Sequence, residues 1–250
     1  MVFESIDDVL AQLDAIIELG RKRNSTDAYF AALYRRVTAE VKAQIAAGAF
    51  EDGPRMARFD VIFASRYLNA WLAHERGEKT SAVWDVAFGC VGQYWPIVLQ
   101  YLLVGMNAHI NFDLGIAAAE VAPGQSINAL KNDFDRINGI LGGMVDDVEN
   151  RLARIWPVMK LINQNERTVD DAVINFSIVR ARQNAWLMAT ALASQPNPEL
   201  RAIYSQVADA TSTIIGRGIL RPGIKLAFIV AMIRLRERGT VDQKLDILLK

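Results

Sequence analysis

The sequence predicts an all-α fold: a single globular domain, a multi-helix bundle of about nine or ten helices over residues 1–250. Apolar residues recur at helical spacing, as in Phe30, Leu33, Tyr34 and Val37 at positions i, i+3, i+4 and i+7. No run of residues alternates cleanly between apolar and polar, and no Asn-Gly or Asp-Gly pair joins two strand-like runs. With 250 residues, 52% of them hydrophobic, the chain can bury one sizeable core.

Capping residues and prolines mark the helices of the N-terminal half. Ser5 and Asp8 have the spacing of a capping box at the start of the first helix. Gly48 follows the second helix where a C-terminal cap belongs, and Pro54 and Pro96 suit first-turn positions, where the missing N–H costs nothing. The helices predicted in this half are 6–19, 27–47, 55–76, 81–94 and 97–121.

The C-terminal half shows the same signals. Thr168 and Asp171 have capping-box spacing, Pro198 and Pro222 suit first turns, and Pro157 is expected to bend or break a long helix. The helices predicted in this half are 127–163, 169–194, 198–216, 222–238 and 241–249.

The composition excludes several classes of protein. The 28 Lys and Arg balance the 28 Asp and Glu, which argues against a nucleic-acid partner because polyanion binding usually needs a basic excess. Cys90 is the only cysteine, so no intramolecular disulfide or thiolate zinc cluster can form, and with two His any metal site must be mainly carboxylate. We expect a cytoplasmic protein without a transmembrane segment, since no signal peptide is visible and the longest apolar run, 226–233, is far below the ~20 residues that span a bilayer.

The helix predicted over 97–121 carries the main functional prediction. It has no Lys or Arg between Pro96 and Ala122, so it is expected to be buried. His109 and Asp113 are four residues apart on one face of this helix, and Asn107 lies on the opposite face. Because an unpaired buried carboxylate costs several kcal/mol, Asp113 is expected to have a partner.

Neighbouring helices offer polar residues on their apolar faces. Asp60 and Tyr67 are expected to point inward from the helix over 55–76. On the helix over 169–194, Arg180 and Gln183 are expected to point inward because they lie on the face defined by Val169, Val173, Phe176, Leu187 and Thr190. Two sources of a partner for Asp113 are left open: the helix over 55–76, and Arg180, whose guanidinium fork suits a carboxylate. Asn138 is the last member of the predicted polar cluster, and it flanks the apolar face of the helix over 127–163.

Three functions remain open for this cluster, beside the interpretation that it only fixes the packing of the core. The first is an enzyme of isomerase, cyclase, lyase or hydrolase type that acts on a mainly apolar small molecule in a pocket inside the bundle, without an organic cofactor. His109, oriented by Asp113 or Asp60, would be its catalytic acid–base, and the substrate-binding residues would be Tyr67, Asn107, Arg180, Gln183 and Asn138. The second is an enzyme that binds Fe, Mn or Zn through His109, Asp113 and Asp60. The third is a non-catalytic small-molecule or lipid-binding protein.

Other chemistry-bearing residues are assigned structural roles. His74 lies at a helix end and is expected to be solvated, and Cys90 is expected to pack in the core. Two acidic pairs resemble the Mg²⁺-binding pairs of terpene cyclases but are assigned to solvated or first-turn positions: they are Asp146–Asp147 and Asp170–Asp171.

The C-terminal segment has a basic character. Arg217, Arg221 and Lys225 repeat every four residues, and an apolar run then separates them from further arginines at 234, 236 and 238. The favoured interpretation is a packed helix with ordinary cations at its end, and the alternative is peripheral contact with an anionic membrane. A homo-oligomer is left open.

Several motifs resemble an uncharacterised family of helical proteins, mostly bacterial with some fungal members, known as a domain of unknown function. The central motif is GMNAHINFDLGIA at 105–117, preceded by FDVIFASRYLNA at 59–70, and further matches are NDFDRINGIL, FSIVRARQNAW and LRP…RLRE, so that the resemblance spans about 29–237. The resemblance implies a single-domain helical protein. Many members have His where this chain has Tyr101, which makes a two-His metal site doubtful here. The signature positions that the resemblance implies are Asp60, Tyr67, Asn107, His109 and Asp113.

Overall fold

The structure, a computed structural model, describes residues 2–155 and 178–250, with backbone alone for 145–149, 152 and 153. Within these ranges the protein is a single helical domain without strands, which confirms the all-α prediction. The elements are α1 (Ile6–Arg23), α2 (Ala28–Ala46), α3 (Gly53–Glu75), α4 (Ala82–Gly89), α5 (Val98–Met106), a π-helix (Asn107–Asp113), α6 (Leu114–Val121), a 3₁₀ turn (Gly124–Ser126), α7 (Ile127–Ile155), α8 (Ile178–Ser194), α9 (Pro198–Leu220), α10 (Ile224–Arg236) and α11 (Val241–Leu249).

Side-chain caps begin several of these helices where the sequence places them. The Ser5 hydroxyl accepts from the Asp8 N–H and the Asp8 carboxylate accepts from the Ser5 N–H, so the predicted capping box is present. Asn197 caps α9 ahead of Pro198, and its side-chain oxygen accepts from the Glu199 and Leu200 N–H groups. Gly48 follows α2 with a φ of 71°, a left-handed conformation that glycine adopts without strain.

Several predicted boundaries differ from the structure: α1 ends at Arg23 rather than at residue 19, and α9 ends at Leu220 rather than at residue 216. α4 ends at Gly89 rather than at residue 94, because a turn follows in which Gly92 has a φ of 75°. Pro96 and Pro222 lie just before α5 and α10, not in their first turns. The predicted capping box of Thr168 and Asp171, the bend at Pro157 and the first part of the helix over 169–194 lie outside the described residues.

α5, the π-helix and α6 form one continuous central helix over Val98–Val121. It is the one helix in the described part of the chain that is long and apolar enough to cross a membrane by length and composition, and 78% of its apolar window is buried inside the protein. α2, α3, α8 and α9 pack around it. The most apolar helix therefore occupies the core, as its lack of Lys and Arg predicts.

The last helix closes the bundle against the first. Leu245 and Leu248 of α11 are buried in the same core as Val9 and Leu13 of α1. Arg21 of α1 donates to two aspartates of α11 at the surface above this contact. These contacts make α11 part of the domain.

Candidate active site

An apolar cavity lies beside the central helix, with about 90 Å³ of space that a water-sized sphere can reach. This space is enough for several waters or a small organic group. Aliphatic and aromatic side chains form most of its wall, and the polar or charged side chains among its lining residues are Tyr34, Asp60, His109 and Arg182.

His109 is enclosed by aromatic rings. The Phe63 ring stacks on the imidazole with a centroid distance of 3.6 Å, and the Tyr34 ring meets it edge-on at 4.5 Å. Burial lowers the pKa of His109 below its ordinary value, a stronger influence than the opposing one of Asp113. The imidazole is therefore neutral at neutral pH. Its Nε2 atom is buried without a hydrogen-bond partner among the described residues.

Asp113 holds the other nitrogen of this ring. Its Oδ2 lies 3.4 Å from His109 Nδ1 and accepts a hydrogen bond from Trp84 Nε1 at 3.0 Å, while Oδ1 accepts from Arg66 Nε at 2.9 Å. Asp113, Arg66 and Trp84 also line a second groove, on the side away from the cavity. A carboxylate beside Nδ1 favours the tautomer with its proton there, which leaves the lone pair on Nε2.

The contact between His109 and Asp113 confirms the predicted shared face, and the partner of Asp113 comes from the helix predicted over 55–76 but is a residue that the sequence prediction did not name. Arg66 of α3 pairs with the carboxylate. The Arg66 side chain is 28% exposed, so the apolar pattern of α3 does not identify it as an inward-facing residue. Asp113 has the partner its burial requires, from a different helix.

The π-helix gives this part of the central helix its shape. Over Asn107–Asp113 the backbone widens, and the Leu114 N–H donates to the His109 carbonyl five residues back. Periodicity at 100° per residue does not reveal such a segment. π-helical turns in proteins occur frequently at functional sites, and this one carries both His109 and Asp113.

Asp60 brings a second titratable group to the cavity wall. Its side chain is buried, and its Oδ2 has no hydrogen-bond partner among the described residues. Burial raises the pKa of Asp60 to about 7, so the carboxyl is protonated in a large fraction of molecules at neutral pH. The predicted inward orientation of Asp60 is confirmed.

Arg182 is the cation of this cavity, and the sequence prediction did not identify it. Its side chain is buried, with Nε donating to Asn138 Oδ1 and a terminal nitrogen to the Phe134 carbonyl, both at 2.5 Å. The guanidinium also lies over the Phe134 ring at 4.4 Å. Burial lowers the pKa of Arg182 to about 10, so it stays charged at neutral pH.

The inward placement of Arg180 and Gln183 is wrong. Both are exposed on α8. The predicted phase relied on Leu187, which is 67% exposed, whereas the buried line of α8 runs through small residues. Arg182 is in phase with this line, which is Ala181, Ala185, Ala189 and Leu192.

The other predicted substrate-binding residues lie outside the cavity wall. Tyr67 is buried beside His109, but its hydroxyl, which has no partner among the described residues, belongs to a small separate cavity. Asn107 donates to the Ser212 carbonyl of α9 at 2.8 Å and accepts from Asn111 at 3.0 Å. Asn138 accepts a hydrogen bond from Arg182, which lines the cavity. None of these three residues lines the cavity.

The predicted metal ligands do not form a metal site. In the ranges that the structure describes, no three His, Cys, Asp or Glu side chains are grouped so that they could hold a metal ion. Both oxygens of Asp113 accept hydrogen bonds from neighbouring side chains. These described residues therefore do not provide the ligands that the predicted Fe, Mn or Zn site needs.

The residues assigned structural roles are placed accordingly where they are described. His74 is exposed at the end of α3 and stacks on Phe88. Cys90 is fully buried, and burial raises the pKa of its thiol to about 12. Asp170, Asp171 and the side chains of Asp146 and Asp147 lie outside the described residues.

Comparison with known proteins gives one match. The model of a family of unknown function (DUF5995) matches residues 6–222, which is most of the chain. The match begins earlier than the resemblance seen in the motifs and ends before α10, so the RLRE segment is not part of it. No curated protein and no solved structure matches the chain.

Proposed function

The chain belongs to the DUF5995 family of unknown function, and we propose that it is an enzyme that moves a proton within a small, mainly apolar molecule by acid–base chemistry. The observation that carries the proposal is one apolar cavity lined by two titratable groups with opposite pKa shifts. Asp60 has its pKa raised to about 7 and His109 has its pKa lowered, so acid and base coexist near neutral pH. A protonated carboxyl and a neutral imidazole then face one cavity at the same pH, and shifted pKa values of this kind are common at acid–base sites.

His109 is the base in this mechanism. Nε2 accepts a proton from the substrate, and the Asp113 carboxylate beside Nδ1 stabilises the imidazolium that forms. Asp113 is a positioning residue here, since Arg66 and Trp84 hold its oxygens and it does not line the cavity. Its negative charge keeps the imidazole oriented and basic enough to react.

Asp60 and Arg182 complete the reaction. The protonated Asp60 carboxyl donates a proton at a second position of the substrate, and Arg182 stabilises the negative charge that develops on a substrate oxygen between the two transfers. Transfer of the proton from the imidazolium to the Asp60 carboxylate, directly or through water, restores both groups. This sequence is an isomerisation, which needs no water as a reactant, and it suits an apolar cavity better than hydrolysis does.

Exchange with solvent deuterium tests the proposal without a known product. The purified protein is incubated in D₂O with a panel of small apolar ketones, enones and carboxylic acids, and deuterium incorporation is followed by mass spectrometry. We expect incorporation into at least one compound class, with a loss of about 10²-fold or more in His109→Gln and in Asp60→Asn. His74→Gln is the matched control, because His74 is the other histidine and lies outside the cavity.

The outcomes separate the proposal from its alternative. Incorporation that survives in His109→Gln would contradict the assignment of the base. The apolar lining of the cavity also favours a non-catalytic carrier of small molecules. Compounds that raise the melting temperature of the wild-type protein but take up no deuterium would support that carrier instead.

A further inference from the structure

α10 presents an apolar stripe to solvent. Its residues Ile224, Phe228 and Leu235 are 93%, 69% and 67% exposed, and Met232 is also exposed. At about 100° per residue, these four side chains lie within about 40° of the direction of Phe228. We call them the α10 face. A cluster of exposed large apolar side chains marks a site of contact with a protein or a membrane.

The opposite side of α10 is packed against the protein. Ile233 is buried, and Leu226 and Val230 line an apolar groove of about 360 Å³ between α10, α5 and the end of α9. Ile229, Val230 and Ile233 turn this side of α10 toward the core and leave the α10 face directed outward.

Exposed cations precede and follow the α10 face along the chain. They belong to the end of α9, the turn before α10, and α10 with its C-terminal flank: Arg217, Arg221, Lys225, Arg236 and Arg238. In the part of the chain that the structure describes, none of these five takes part in an ion pair.

No exposed acid balances these cations locally. Between Ala210 and Val241 the chain has one acid, Glu237. Its carboxylate is 1% exposed and bonds to Arg234 and Lys244. The solvent-facing side of this segment is therefore apolar in the middle and positive on either side of it along the chain.

We propose that the α10 face docks the protein onto the surface of an anionic membrane. Apolar side chains would enter the boundary between headgroups and acyl chains, and the flanking cations would contact anionic headgroups. A second copy of the chain is a poorer occupant, because a two-fold contact sets a patch against itself and would bring the five cations against five others. The proposal is independent of the proposed reaction.

Vesicle sedimentation tests this docking. The full chain is mixed with phosphatidylcholine vesicles that contain about 30% phosphatidylglycerol, or none, at about 0.1 M and about 0.5 M NaCl. We expect binding to the anionic vesicles at least tenfold stronger than to the neutral ones, and at least tenfold weaker at the higher salt concentration. The double variants Ile224→Ser/Phe228→Ser and Arg221→Glu/Lys225→Glu should each lose binding at least tenfold.

Matched controls separate docking from general stickiness. Leu187→Ser removes an apolar side chain that is as exposed as Phe228 but lies on α8, and should bind like the wild type. Lys22→Glu/Lys79→Glu changes the same charge at exposed positions elsewhere. All the substituted residues are exposed, and circular dichroism checks that each variant is folded.

Three outcomes would overturn the proposal. The first is no sedimentation with anionic vesicles, and the second is equal binding to neutral and anionic vesicles. The third is a dimer, detected by light scattering, that Ile224→Ser/Phe228→Ser dissociates while vesicle binding is absent, which would assign the face to a second copy.

Discussion

Replacement of Asp60 by Asn tests the electrostatics of the cavity, because the neutral amide has the shape of the carboxyl without its charge. Burial raises the pKa of Asp60 from the ordinary 3.8 to about 7. Between these pH values the folded protein retains a proton that the unfolded chain releases, so stability falls as the pH rises. This sign is opposite to that of a carboxylate paired with a cation, whose stabilisation is lost as the pH falls.

The magnitude follows from the two pKa values. At about 1.4 kcal/mol per pH unit, a change in pKa from 3.8 to about 7 contributes about 4 kcal/mol to the free energy of unfolding. This contribution is present below pH 4 and is lost by about pH 7. About 3 kcal/mol of this lies between pH 5 and pH 8. For a chain of this length that is a difference of about 10 °C in melting temperature.

Thermal or urea unfolding of both proteins between pH 5 and pH 8.5 measures the effect. We expect Asp60→Asn to gain stability relative to the wild type as the pH rises, with a plateau above about pH 7. The comparison removes the contribution of His109, which titrates in both proteins. A stability difference that does not change with pH, or that changes in the opposite direction, would show that Asp60 is ionised in the fold and would refute its role as the acid.

Three further substitutions test the site and its packing. The wild-type protein should lose stability as the pH falls below 6.5, because the unfolded chain then binds a proton at His109 that the buried, neutral imidazole of the folded protein does not bind. His109→Gln should remove this loss, and unfolding curves at pH 5 and pH 7.5 measure it. Arg182→Ala should destabilise the protein by about 2–4 kcal/mol in urea unfolding, because a buried acceptor and a part-buried acceptor lose their donor. Gly105→Ala should cost about 1–3 kcal/mol, since a Cβ there would lie 2.4 Å from a ring carbon of Phe30.

Each of these substitutions has a matched control on the same chain. His74→Gln and Arg180→Ala, both at exposed positions, should each change stability by less than about 1 kcal/mol. Gly139→Ala should stabilise α7 by about 0.5–1 kcal/mol, because nothing lies within 4 Å of the added Cβ. Equal effects of Arg180→Ala and Arg182→Ala would contradict the orientation of α8.

The parts of the site predicted correctly are those with a strong local signal. His109 and Asp113 stand out because they interrupt the most apolar helix, and Asp60 stands out among aromatic residues at helical spacing. On α8 the local pattern predicted the wrong face as buried. Its core line consists mainly of alanines, which contrast weakly with their neighbours, and the larger Leu187 pointed the prediction toward the exposed side. The predicted buried face of α8 is offset by two residues from the observed one, so Arg180 is predicted to point inward in place of Arg182.

The sequence by itself determined the helical class, most helix ends and the burial of the central helix, because capping, proline geometry and apolar periodicity act over a few neighbouring residues. Tertiary structure alone decided which groups meet. The pairing of Arg66 with Asp113, the stacking of Phe63 on His109 and the cavity shared by Asp60 and Arg182 each join residues from different helices. Such contacts depend on the rotation and position of each helix in the bundle, and a local pattern fixes these only when its apolar and polar sides differ strongly.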